Sequence, residues 1–227
     1  MAEPGEAPGA WRRRRLAEAR LYVVTGAREA RGDLEPFLET ILQAGVDIVQ
    51  LREKDAEAGD LLRWGAVFRA AASRHGALFV MNDRPDVALA LRVDAVHLGQ
   101  NDLPVRFARE LLGPDVLIGL STHDVSQLRA APPEADYVCV GPVHETPTKP
   151  GRPATGLGLV EEAAKREQRP WFAIGGIEPQ TLGGVVAAGA TRIVVVRTVT
   201  ETADPAEAVR TLLAGLEEDR GARRRGA

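Results

Sequence analysis

Leu78-Phe-Val-Met-Asn82, then Asp83-Arg84-Pro85, the run to Leu91, and Ala95-Val-His-Leu-Gly99 form the stretch whose reading decides the fold. The two outer runs are short and apolar, without polar alternation, as expected of parallel strands buried on both faces. The segment between them opens at Pro85, and a missing N–H is harmless at a helix start. The reading is strand Leu78–Asn82, helix Pro85–Leu91, strand Ala95–Gly99.

The same unit recurs in both directions. Further strands are read at Leu21–Thr25, Ile48–Arg52, Leu117–Ser121, Tyr137–Gly141, Trp171–Gly175 and Arg192–Val196. Helical patterns lie at Leu34–Ala44, Gly59–His75, Leu103–Leu112, Val125–Ala131, Leu157–Glu167, Pro179–Ala187 and Pro205–Leu216. Gly45, Gly76 and Gly189 stand where helices should end. Eight strands alternating with eight helices predict an α/β fold, a (β/α)8 TIM barrel forming a single domain over residues 21–217. An open doubly wound sheet ranks second, because no Gly-x-Gly-x-x-Gly follows the first strand.

Composition is consistent with this. Hydrophobic residues make up 44% of the 227, enough for a large core, and aromatics only 4%, which predicts an aliphatic one. The single cysteine, Cys139, permits no intramolecular disulfide and no cysteine metal cluster, and a reducing cytoplasm is the expected compartment. No apolar run approaches the ~18 residues that span a bilayer, so no membrane role is expected. Residues 1–20 read as an extension, disordered to about Ala10 and then a short helix over Trp11–Arg20; 218–227 reads as a disordered basic tail. The Arg-rich ends, including Arg12 to Arg15, read as solvated termini. Between them the chain is acidic, which argues against a nucleic-acid partner. A polyanionic substrate would then need a local basic cluster or a metal.

In such a barrel the site lies at the C-terminal strand ends. Gln50, Arg52 and Lys54 are spaced two apart and leave one face of strand two, with Val49 and Leu51 turned to the helices. Arg grips phosphate oxygens bidentately and Lys adds a point charge. Asn82 and Asp83 end strand three, and Asp102 follows strand four. Either Asp alone would serve equally as a helix N-cap; together they suit Mg2+, which takes hard oxygen ligands and completes its shell with water and phosphate. Ser121 ends strand five, where it can donate to a ligand or serve a turn. A long loop from Pro142 to Gly156 carries Thr146-Pro147-Thr148-Lys149, suited to covering a phosphorylated ligand. Gly175-Gly176 after strand seven, and the backbone at Val196 and Arg197 after strand eight, suit a monophosphate pocket. His97 and Cys139 read as core residues. No nucleophile–base pair is evident, which favours ionisation of a diphosphate leaving group.

Gln50-Leu-Arg-Glu-Lys54, Asn82-Asp-Arg84, His97-Leu-Gly-Gln-Asn-Asp102, Ile118-Gly-Leu-Ser-Thr-His123, Gly141-Pro142 with Thr146-Pro-Thr-Lys149, and Ile174-Gly-Gly-Ile177, in this order, resemble the thiamine phosphate synthase family. The resemblance runs from about Leu21 to Leu216. It implies coupling of 4-amino-2-methyl-5-hydroxymethylpyrimidine diphosphate to a hydroxyethylthiazole phosphate: diphosphate leaves first, and the thiazole nitrogen captures the resulting cation. It implies that Gln50, Arg52, Lys54, Asn82 and Lys149 hold the pyrimidine diphosphate, and that Leu51 and Glu53 belong to the same contact segment. Asp83 and Asp102 match the Mg2+ ligands, and Ser121 matches a pyrimidine contact. Thr146 and Thr148 match thiazole phosphate contacts, with Pro147 between them. Gly176, Val196 and Arg197 match the monophosphate pocket. Arg52, Lys54, Ser121 and Lys149 are the expected catalytic residues. The family commonly has Ser where this chain has Arg197, whose side chain could face the phosphate or turn outward. The expected partners are these small molecules, and homo-oligomerisation is left open. A thiazole tautomerase shares the barrel but needs no diphosphate cradle; a non-catalytic phosphate-ligand sensor would use the Arg-rich ends.

Overall fold

A computed structural model describes residues 6–146 and 154–225. After helix α1 (Pro8–Glu18), strands β1 (Leu21–Thr25), β2 (Ile48–Leu51), β3 (Leu78–Asn82), β4 (Ala95–Leu98), β5 (Leu117–Thr122), β6 (Tyr137–Val140), β7 (Trp171–Ile174) and β8 (Ile193–Val195) close in sequence order into one parallel barrel. The intervening helices are α2 (Leu34–Gln43), α3 (Ala58–His75), α4 (Pro85–Leu91), α5 (Val105–Leu112), α6 (Val125–Ala130), α7 (Leu157–Arg166) and α8 (Pro179–Ala187). A four-residue helix α9 (Arg197–Thr200) and the long α10 (Pro205–Arg225) complete the chain. The TIM-barrel reading holds, and the strand boundaries agree to about one residue. Helix α9 escapes a reading by pattern, because its Arg-Thr-Val-Thr resembles a continuing strand. Helix α10 continues past Leu216 to Arg225, into the stretch read as a tail.

Strand alternation divides the apolar residues into two cores. Leu21, Val23, Val49, Leu51, Phe79 and Met81 face outward and pack with the helices. Tyr22, Val24, Ile48, Leu78, Val80, Tyr137, Cys139, Phe172 and Val194 fill the barrel itself. The outer layer is largely aliphatic, as expected, but the interior is not. Tyr22, Tyr137 and Phe172 meet there edge to face, with ring centroids 5.6 to 6.3 Å apart. Gly119 makes this packing feasible, because a Cβ there would overlap the Tyr137 ring.

The N-terminal end of the barrel is tied by a repeated device. Asp47, Asp94 and Asp136 each directly precede a strand and accept backbone N–H groups of the preceding strand. Asp47 takes Arg20 at 2.8 Å and Leu21 at 3.1 Å, Asp94 takes Phe79 at 3.0 Å, and Asp136 takes Ile118 at 2.8 Å. Helix α1 lies across this end and reaches all three: Arg12 pairs with Asp94 at 3.0 Å, Arg13 with Asp136 at 3.8 Å and Arg15 with Asp47 at 3.8 Å. Leu16 and Ala19, at 2% and 0% exposure, join the barrel core from below. The helix therefore begins at Pro8 rather than Trp11, and Arg12, Arg13 and Arg15 are docked rather than solvated. The segment has hardly any apolar face to signal docking; its partners lie in distant loops.

Candidate active site

Strand β2 directs the site as its two-residue period requires. Gln50 is buried inside the barrel and donates from Nε2 to the Tyr22 hydroxyl. Leu51 turns the other way into the helix layer at 0% exposure, so its side chain does not reach the mouth. Arg52 and Lys54 follow at the mouth and line one cavity with Gln50, Asn82, Asp83 and Asp102. Glu53 has a different role: its Oε1 accepts from the Ala27 N–H at 2.7 Å, clasping the loops after β1 and β2.

Asp83 leaves β3 with φ 60°, a left-handed conformation that short polar side chains tolerate best among non-glycine residues. Its backbone N–H donates to the His97 carbonyl at 2.9 Å, holding the turn against β4. Its Oδ2 lies 3.2 Å from Lys54 Nζ. Burial, and then the hydrogen bond with and charge of Asp102, hold the Asp83 carboxyl above its ordinary range, and Lys54 opposes them. Asp102 is itself steadied by the Gly99 N–H at 2.6 Å. Two carboxylates this close favour a shared proton or a cation. Among the described residues no group of three or more His, Cys, Asp or Glu comes together to hold a metal. Two carboxylates with an Arg and a Lys lining the same cavity suit a cation that completes its shell with water and anionic oxygens.

This cavity, of about 150 Å³, adjoins a second of about 320 Å³ between the ends of β5 to β8. Ser121, Ile174, Val194 and Val196 line both. Ser121 is 7% exposed, and its Oγ lies 2.9 Å from His97 Nε2. The second cavity gathers Thr146, Gly176, Val196 and Arg197. Gly176, at φ 59°, leaves no room for a side chain: a Cβ would lie 2.7 Å from His144 Cβ. Thr198 Oγ1 donates to the Ile177 carbonyl at 2.7 Å, tying α9 to the loop after β7. Within α9 the Val199 and Thr200 N–H groups donate back to the Val196 carbonyl, at 3.1 and 3.0 Å. The Arg197 guanidinium, 43% exposed, pairs with Glu201 at 3.0 Å along α9. That pairing turns the guanidinium toward Glu201, while Arg197 also lines the second cavity.

Sequence reasoning missed several lining residues. His123 lines the second cavity and its Nδ1 lies 2.6 Å from the Gly141 carbonyl; its place two residues after Ser121 was the available signal. Tyr22, Thr25, His97 and Cys139 line the first cavity, yet in sequence they are indistinguishable from core. Pro147, Thr148 and Lys149 lie outside the described residues.

A sequence model of the family described as Thiamine monophosphate synthase matches residues 21–199, the whole barrel from β1 to α9. The chain belongs to the thiamine monophosphate synthase family. Thiamine-phosphate synthase from Acidothermus cellulolyticus is 56% identical over 204 residues, covering 88% of this chain and 96% of that protein. The same enzyme from Mycobacterium bovis is 53% identical over 214 residues, covering 89% and 96%. Among solved structures, thiamine phosphate pyrophosphorylase from Pyrococcus furiosus superposes with a TM-score of 0.80 at 30% identity, over 91% of this chain and 98% of that one. Family membership thus extends over the two adjoining cavities as well as the strands. Among the described residues no helix is long and apolar enough to cross a membrane.

Proposed function

We propose that this chain forms thiamine phosphate by joining an aminopyrimidine methyl diphosphate to a thiazole phosphate, releasing diphosphate. One observation carries the reading: two cavities share a wall at Ser121, and only one of them holds Arg52, Lys54, Asp83 and Asp102. A tautomerase acting on the thiazole alone would have no use for that cavity's charges. The reaction is a group transfer from carbon–oxygen to carbon–nitrogen, so the enzyme is a transferase.

In this reading Arg52 and Lys54 bind the diphosphate and disperse the charge that grows on it as the C–O bond breaks. Lys149 adds a further positive charge, and Asn82 orients the same group. Gln50 and Ser121 hold the pyrimidine, with the barrel interior beneath it closed by Tyr22 and Cys139 against water. Thr146, Thr148, Gly176 and the backbone at Val196 and Arg197 hold the thiazole phosphate. The shared wall brings the thiazole nitrogen to the carbon that loses diphosphate, which removes the entropic cost of a bimolecular encounter. Asp83 and Asp102 would hold Mg2+, whose chemistry is to neutralise the departing diphosphate. The acidic chain with its single thiol suits a soluble cytoplasmic enzyme of small-molecule metabolism.

The test is a coupling assay with both phosphorylated substrates and Mg2+, read as thiochrome fluorescence after oxidation. A signal abolished by EDTA and restored by excess Mg2+ is expected. Folded protein that binds the thiazole phosphate but yields no thiochrome would refute the reading.

A further inference from the structure

A continuous chain of hydrogen bonds crosses the barrel interior beneath the first cavity. Gln50 Nε2 donates to the Tyr22 hydroxyl. The Tyr22 and Tyr137 hydroxyls are 3.3 Å apart, and Tyr137 lies 3.3 Å from His97 Nδ1. His97 Nε2 is 2.9 Å from Ser121 Oγ. None of the five side chains belongs to a residue more than 7% exposed. They come from β2, β1, β6, β4 and β5, and both ends of the chain, Gln50 and Ser121, line the cavity.

Such a chain has a direction. A phenol has one proton to donate, and burial raises both tyrosines well above their ordinary range, so both keep it. With the Gln50 amide nitrogen on Tyr22, Tyr22 donates to Tyr137 and Tyr137 donates to His97 Nδ1. His97 then carries its proton on Nε2 and donates to Ser121. Two groups remain for a ligand. At one end Gln50 Oε1, with no partner among the described residues, is an acceptor. At the other end the Ser121 hydroxyl is a donor. A proton on His97 Nδ1 instead would make Nε2 accept from Ser121 and leave no donor there for a ligand.

The geometry points to Tyr22, Tyr137 and His97 as specificity-determining residues, which make the cavity read an amine beside an unprotonated ring nitrogen. A 4-aminopyrimidine offers this pattern: its amine donates to Gln50, and its ring nitrogen accepts from Ser121. A 4-oxopyrimidine of nearly the same shape offers an acceptor beside an N–H, and mismatches both ends. Sites built on buried hydrogen bonds reject such analogues far more strongly than apolar pockets do. The three residues act through Gln50 and Ser121; Tyr137 is not among the residues lining the cavity. The inference rests on the synthase activity proposed above.

The experiment compares diphosphate release from the 4-amino and 4-oxo pyrimidine diphosphates, with thiazole phosphate and Mg2+, in wild type, Tyr22→Phe and Tyr137→Phe. Wild type should strongly prefer the amino substrate. In each folded variant the kcat/KM preference should fall by about tenfold or more, as the two ends reorient independently. Equal slowing of both substrates, with the preference unchanged, would mean that the hydroxyls only support the fold and would overturn the inference. Wild type that fails to release diphosphate from the amino substrate would overturn the synthase reading itself, and the inference with it. A reading that needs no variant comes from 15N NMR of the wild-type imidazoles: a proton on His97 Nε2 is expected, and one on Nδ1 alone would leave Ser121 no proton for a ligand and refute the proposal.

Discussion

Lys54 Nζ stands 3.2 Å from Asp83 Oδ2, while Asp102 shares a hydrogen bond with the same carboxyl group. One cation therefore offsets two acids, and a second positive charge is wanted between them. Asp83→Asn should lower turnover by at least about a hundredfold without loss of folding, because asparagine tolerates φ 60° and removes like-charge repulsion. Saturating Mg2+ should raise the wild-type Tm by roughly 2–4 °C per kcal/mol of binding linkage and leave the variant unmoved. An equal Mg2+ response in both proteins, read by calorimetry, would remove Asp83 from the metal site.

Gly176 is a sharper probe of the second cavity. Alanine there would be strained at φ 59° and would press on His144. KM for the thiazole phosphate should rise about tenfold or more while KM for the pyrimidine diphosphate stays within about threefold. A rise in the pyrimidine KM alone would exchange the roles of the two cavities.

Arg197 should matter little through its side chain. It is 43% exposed and paired with Glu201 at 3.0 Å, and exposed pairs contribute about 0–1 kcal/mol. Arg197→Ser should change the thiazole phosphate KM by less than about threefold. A tenfold loss, measured by steady-state kinetics, would place the guanidinium on the phosphate.

Helix α1 should stabilise the barrel. Leu16→Ala removes a side chain 2% exposed beneath the barrel and should cost about 2–5 kcal/mol in urea unfolding. A loss below about 0.5 kcal/mol would mean that α1 is not docked.

Arg12→Ala should cost pH-dependently. Burial first, opposed by the Phe79 N–H and Arg12, holds the Asp94 carboxyl above its ordinary range. A raised carboxyl favours the fold when protonated, and that contribution is lost as pH rises through the folded-state pKa. Removing Arg12 raises this pKa further, so the destabilisation should be largest at neutral pH and shrink on acidification. A pH-independent loss in denaturation curves from neutral to acid pH would show that Arg12 acts by packing alone.

Much of this protein is determined by local pattern. The short apolar runs without polar alternation, the helix between Pro85 and Leu91, and the count of eight strands lead to the barrel, since strands buried on both faces must be covered by helices. The barrel then puts Gln50, Arg52, Lys54, Asn82, Asp83, Asp102 and Ser121 at one end, because closing the parallel strands in sequence brings their C-terminal ends together. Strand alternation already turned Leu51 to the helices; the tertiary structure alone decided that Glu53 is held by the Ala27 N–H. It alone joined Tyr22 to Tyr137 across 115 residues of chain, and Arg12 to Asp94 across 82. Periodicity reports which face of an element is buried. It is silent on which distant polar atoms must meet there, because a buried hydroxyl or carboxylate is satisfied by partners that only barrel closure brings within hydrogen-bond range.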